Sequence, residues 1–170
     1  MDKNYFYSKL SWILSDNKYD SMLEFDIRDN VPTLLLYNTN DLCLNEEQFN
    51  ALMDSIRTPE KLYVAQNDSE EIYEFDFPMS YDCYESLNLY SITYLTSDKF
   101  DWLVIIDEAL ESGVGVLASN GDVINEFSTR YKNAISDIQN LVEFHFSDFS
   151  RNRNSIEILM KILSLWRSKK

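Results

Sequence analysis

The chain has 170 residues, 45% of them hydrophobic and 14% aromatic, with a formal net charge of −14. That length builds one sizeable core and leaves no room for two independent ones, while three glycines and three prolines exclude a flexible linker or low-complexity segment. The charge is uneven: residues 151–170 hold six cations against Glu157, so the first 150 residues carry nine cations against twenty-eight carboxylates, a net of −19. Such a field repels nucleic acid and anionic lipid and steers a basic protein inward.

In chain order, residues 4–14 place Phe6, Leu10, Ile13 and Leu14 on one helical face, so a helix is expected, although the YFY triplet also suits a strand. MLEFDI at 22–27 alternates, with Leu23, Phe25 and Ile27 on one side and Glu24 and Asp26 on the other. It reads as a half-buried strand with an acidic outer face, forming a hairpin with a more deeply buried strand at 33–37. Asn45 is the expected N-cap of a helix, with Gln48 completing a capping box, Leu44 stapling onto Phe49, and Phe49, Leu52, Met53 and Ile56 as the apolar face. Thr58-Pro59 ends it. Residues 61–66 and 72–77 read as two strands; in the second, Tyr73, Phe75 and Phe77 share the face opposite Glu74 and Asp76. One long strand is expected over 84–97.

Residues 100–127 organise the rest, because all three glycines fall there. Two apolar runs, 102–106 and 114–118, predict a central antiparallel pair joined by an acidic turn at 107–112 that contains Asp107, Glu108 and Glu111. Asn120-Gly121-Asp122 then starts a long helix with the stripe Ile124, Phe127, Tyr131, Ile135 and Ile138, and a final helix carries Ile156, Leu159, Met160, Leu163 and Trp166. The predicted fold is a single α+β domain over 1–170, with a largely antiparallel sheet of six or seven strands and helices on one face, two of them C-terminal.

Chemistry leaves little trace. Gly113-Val114-Gly115 lacks the third glycine of a dinucleotide fingerprint, and the neighbouring carboxylates oppose a pyrophosphate, so these glycines are read as tight hairpin geometry. His145 is the single histidine and has no nucleophile motif beside it, and one histidine with Cys43 and Cys83 far apart makes no zinc set. No catalytic residue, metal or cofactor is therefore expected. The opening MDKNYFYSKL has no basic region followed by an apolar core and the apolar runs are only a few residues long, which predicts a soluble, cytoplasmic protein with no membrane partner; the acidic field predicts no nucleic-acid partner, and the oligomeric state is left open, with a monomer favoured. The acidic clusters, Glu24 with Asp26, Glu74 with Asp76, and Asp107, Glu108 and Glu111, have no lysine nearby in sequence and are the candidate surface for a cationic partner. A solvated face that maintains solubility is the competing reading.

A small, acidic, aromatic-rich α+β chain without catalytic residues resembles the immunity proteins of bacterial contact-dependent inhibition and related polymorphic toxin systems. Its run DWLVIIDEALESGVGVLASNGDVINEF is similar in character to strand–hairpin–helix segments in several of these families. The resemblance implies a protein that binds and neutralises a cognate toxin domain, frequently a basic nuclease, by covering its active site or substrate surface. It assigns no individual residue, because these interfaces differ from pair to pair. An acidic adaptor unrelated to toxins and a carboxylate-dependent hydrolase are the alternatives; an upstream reading frame encoding a large secreted protein discriminates the first, and a deep pocket of converging carboxylates the second.

Overall fold

Alternation in the strands and capping in the helices produce a six-stranded, wholly antiparallel sheet with five named helices. The computed structural model describes residues 1–15, 27–38, 44–109, 112–119, 122–149, 156–157, 159–160 and 163–164. In chain order the elements are α1 (Lys3–Lys9), β1 (Thr33–Asn38), α2 (Glu46–Ser55), β2 (Lys61–Gln66), β3 (Ile72–Asp76), α3 (Tyr81–Glu85), β4 (Thr93–Ser97), β5 (Trp102–Ala109), β6 (Ser112–Ser119), α4 (Asp122–Arg130) and α5 (Ala134–Phe149). The sheet order is β1-β6-β5-β4-β2-β3, which makes β1 and β3 the edges.

The predicted central pair is there, and longer than expected. β5 and β6 pair from Trp102↔Ser119 to Ala109↔Ser112, so Asp107 and Glu108 lie on the strand, opposite Val114 and Gly113, and only residues 110–111 connect the two. Gly113 is a strand residue as well, outside the turn, and Gly115 lies in the strand that the run 114–118 predicts. At Gly115 a Cβ would stand 3.3 Å from Leu36 Cβ, so the absent side chain lets β1 pack closely against β6.

Helices cover both faces of the sheet, not one. Leu35, Tyr37, Leu103, Ile105, Val114 and Val116 point into a core closed by Phe6 and Tyr7 of α1, by Leu10 at its C-cap and by Leu141 of α5. Leu34, Leu36, Trp102, Val104, Ile106 and Leu117 point into a second core closed by α2, by Tyr84 of α3 and by Phe127 of α4. The reason is in the strands themselves: residues 102–106 and 114–118 are apolar on consecutive positions, and such strands have to be covered on both sides.

The long helix is two helices. The chain leaves helical geometry after Arg130 and re-enters at Ala134, crossing from the α2 side of the sheet to the α1 side. Phe127 and Tyr131 are buried on the first side, Leu141 is buried on the second, and Ile135, expected in the core, stands 65% exposed at the crossing. Asn133 starts α5, its carbonyl accepting from Asp137 N at 2.8 Å and from Ser136 Oγ at 2.8 Å.

The expected strand at 84–97 is also divided. Ser80 caps α3 by accepting from Cys83 N, Asn88 turns the chain with φ 47°, and β4 starts only at Thr93. Of the strand expected at 22–27, residues 22–26 lie outside the described residues, so its pairing with β1 does too; Ile27 makes an isolated antiparallel bridge with Leu14. Of the final helix, the described residues 156–157, 159–160 and 163 are helical, and Leu159 is buried against the α1 side.

The α2 N-terminus follows its sequence signature. Asn45 Oδ1 accepts from Gln48 N at 2.8 Å, and Gln48 Oε1 accepts from Asn45 N at 3.1 Å. The Gln48 amide then reaches past its own helix. Its Nε2 donates to the Tyr37 carbonyl on β1 at 3.0 Å and to the Tyr131 hydroxyl at 3.4 Å, and that hydroxyl donates in turn to Asp137 Oδ2. Burial raises the pKa of both Tyr131 and Asp137 above their ordinary values, with the Asp137 hydrogen bond adding to the rise at Tyr131 and Glu47 adding to the rise at Asp137.

Two outcomes follow from this packing. Phe127 is fully buried, so Phe127→Ala should lower stability by about 3 to 5 kcal/mol, read by denaturant titration; a loss under about 1 kcal/mol would mean that α4 does not close this core. Burial pushes the Tyr7 hydroxyl from 10.0 to about 12. A raised folded pKa gives a stability contribution that is complete below pH 10 and lost as pH rises towards 12. Denaturant midpoints measured across that window should therefore fall less steeply in Tyr7→Phe than in the wild type, and equal slopes would show that the ring is solvated.

Candidate protein-binding surface

From Leu62 to Asp98 the chain contains no lysine or arginine and eight carboxylates. Folding turns this stretch into β2, the β3 edge, α3 and β4, and Asp68, Glu70, Glu71, Glu74, Asp76, Asp82 and Glu85 are all exposed. The carboxylates do not stand alone. Tyr73, Phe75, Phe77 and Tyr81 are half-buried against the α2 side, and Tyr90 is 72% exposed. Aromatic rings are enriched and lysine is depleted at protein interfaces, whereas carboxylates belong to the charged rim of such a surface.

Of the sequence candidates, Glu74 and Asp76 lie here, on the side of β3 that faces Tyr63 and Lys61 of β2. They are not free of a cation. Lys61 stands directly across from Asp76, with Nζ 2.6 Å from Asp76 Oδ1 and 3.4 Å from Glu74 Oε1, and its pKa is raised by those two contacts, Asp76 first. Sequence distance hid this pairing, since fifteen residues separate Lys61 and Asp76 while the ladder makes them opposite. Exposed ion pairs of this kind contribute little to stability, and two carboxylates around one ammonium leave a negative excess.

Asp107 and Glu108 belong to the C-terminal end of β5, two strands away from β2, and Glu24, Asp26 and Glu111 lie outside the described residues. The register still relates the clusters. Gln66 pairs with Thr93 and Thr93 with Ile106, so the β2–β3 turn with Asp68, Glu70 and Glu71 and the end of β5 lie at the same end of the sheet, their strands roughly 10 Å apart at ordinary strand spacing. At that end Lys3 Nζ is spent on the carbonyls of Asn67 at 2.9 Å and Ser69 at 2.7 Å.

No protein-family model matches the chain, and no curated protein or solved structure matches it. The reading of this surface therefore rests on its own chemistry. No helix among the described residues is long and apolar enough to cross a membrane, and among them no group of three or more His, Cys, Asp or Glu could hold a metal ion.

The backbone at β3 is the feature that sequence reasoning did not reach. Phe77 N donates to Glu60 O at 3.1 Å, which fixes the alternation of the β2–β3 ladder: Tyr73, Phe75 and Phe77 bond towards β2. Ile72, Glu74 and Asp76 then point their N–H and C=O groups outward. The bond from Asp98 N to Lys61 O at 3.1 Å agrees, since it sends Lys61 of the opposing Lys61↔Asp76 pair towards β4. Among the described residues no further strand lies beyond β3. Hydrogen exchange followed by NMR should therefore alternate along β3, slow at the amides of Tyr73, Phe75 and Phe77 and fast at Ile72, Glu74 and Asp76; uniform protection would mean that the edge is covered.

Proposed function

We propose that this protein is a non-catalytic inhibitor of the immunity type, which binds a basic, nuclease-like toxin domain through its acidic surface and keeps that domain from its substrate. The observation that carries the reading is the stretch from Leu62 to Asp98, which contains no lysine or arginine and sets exposed carboxylates on one side of the β3 edge and half-buried aromatic rings on the other. A solubility surface needs charge alone. Rings held half-exposed along the same edge strand supply apolar anchors that a binding site needs and a solvated face does not. The β2–β3 turn, with exposed Asp68, Glu70 and Glu71, continues the same sign of charge from β3 to the end of the sheet.

Long-range attraction acts chiefly on the association rate and is screened within about 8 Å at physiological salt, whereas aromatic anchors govern dissociation. Glu74→Lys with Asp76→Lys should thus slow association with the toxin domain encoded by the reading frame immediately upstream more than it speeds dissociation. Raising the salt should narrow the difference between variant and wild type. Binding kinetics at low and high salt, together with protection of cells co-expressing the toxin domain, decide the matter. If association is insensitive to salt and every acidic cluster can be reversed without loss of protection, the acidic surface serves solubility and the reading is wrong.

A further inference from the structure

The geometry points to strand addition: the β3 edge takes an extended segment of the partner protein as a seventh strand, and that segment alternates lysine or arginine with β-branched or aromatic residues. This rests on the acidic-surface reading above and specifies which part of the surface binds and what it reads.

Three observations carry it. The outward N–H and C=O groups of Ile72, Glu74 and Asp76 form a row of donors and acceptors, unpaired among the described residues, at the spacing of a strand ladder. The two sides of β3 differ in chemistry, since Glu74 and Asp76 are exposed on one while Tyr73, Phe75 and Phe77 are half-buried on the other. An added strand alternates its side chains in the same way, so its cations fall beside Glu74 and Asp76 and its apolar residues extend the ring surface. The opposite edge is not equivalent. On β1 the outward carbonyl of Tyr37 is already taken by Gln48 Nε2.

Charge also selects the occupant. In an antiparallel pairing of β3 with a second copy of itself centred on Glu74, the two Glu74 carboxylates would be direct neighbours and each Asp76 would lie on the same face, a like-charge arrangement that destabilises a ladder. A basic segment converts the same positions into attraction. Lys61 already bridges Glu74 and Asp76 from the β2 side, and a cation arriving from the outer side meets the oxygens that Lys61 leaves.

The test uses the full chain and a synthetic peptide of alternating valine and lysine with blocked ends. Two control peptides accompany it, one with every second backbone nitrogen methylated and one with glutamate in place of lysine. The valine–lysine peptide should slow amide exchange at Ile72, Glu74 and Asp76 by at least about tenfold, and neither control should do so. Glu74→Pro should abolish the effect. It removes an outward N–H that β2 does not use, which an edge strand tolerates, and circular dichroism checks the fold.

Equal protection by the methylated peptide would mean charge without strand pairing. Absence of protection, or shifts centred away from β3, would overturn the proposal in the wild-type protein, whatever the proline variant does. The upstream-encoded toxin domain separates the two levels. Salt-dependent binding that survives Glu74→Pro unchanged sinks strand addition and leaves the acidic-surface reading standing. Failure of the wild type to bind that domain sinks the immunity reading, while the peptide result still decides strand addition.

Discussion

The side-chain amide of Gln48 is the contact on which the arrangement of the C-terminal half depends. One residue closes the capping box of α2, takes the outer carbonyl of Tyr37 on β1, and meets the hydroxyl of Tyr131 where the chain leaves α4. Tyr131 hands the connection on to Asp137 in the first turn of α5. The path of the chain from one face of the sheet to the other is thus pinned by a buried hydrogen-bond relay and not by helix continuity. A buried amide has to satisfy its donors and acceptor, and here each bond joins a different element, so the relay fixes geometry that apolar packing alone would leave degenerate.

That relay also makes the two sheet edges unlike. One outward carbonyl of β1 is taken by a side chain of α2 and β1 lies against α5, whereas among the described residues β3 pairs with β2 alone. Proteins ordinarily blunt an open edge with charge, and here the exposed carboxylates of Glu74 and Asp76, with Lys61 paired to them from β2, supply it.

Local signals were legible in the sequence and long-range ones were not. The α2 capping box could be read because Asn45 and Gln48 act within one turn, and strands at 33–37, 61–66, 72–77, 102–106 and 114–118 could be found from apolar patterning, although the last two run on through the acidic residues expected to turn. The helix break at 131–133 was invisible to periodicity for a physical reason. Tyr131 and Ile138 are seven residues apart, two helical turns, so the stripe passes through the break in phase although its halves face different cores. Asn133, an N-cap residue type ahead of Ala134, was the available signal. In α3 the aromatic residues suggested a strand, while the Ser80 cap and the buried Tyr84 ring determine a helix. At the candidate surface the acidic positions Glu74 and Asp76 were found from alternation. Their Lys61 partner and the outward backbone row depend on register, which a single strand pattern does not contain.

The cation-free stretch has a consequence for how this surface can be observed at all. Trypsin cleaves after lysine and arginine, and none lies between Lys61 and Lys99, so nearly all of β2, the β3 edge, α3 and β4 leave a digest as one long peptide. Amine-reactive cross-linkers likewise find no side chain there to modify. The region with the most interface-like chemistry is therefore silent to the commonest lysine-based footprinting, and its contacts become visible only to reagents and proteases that act on carboxylates or aromatic rings.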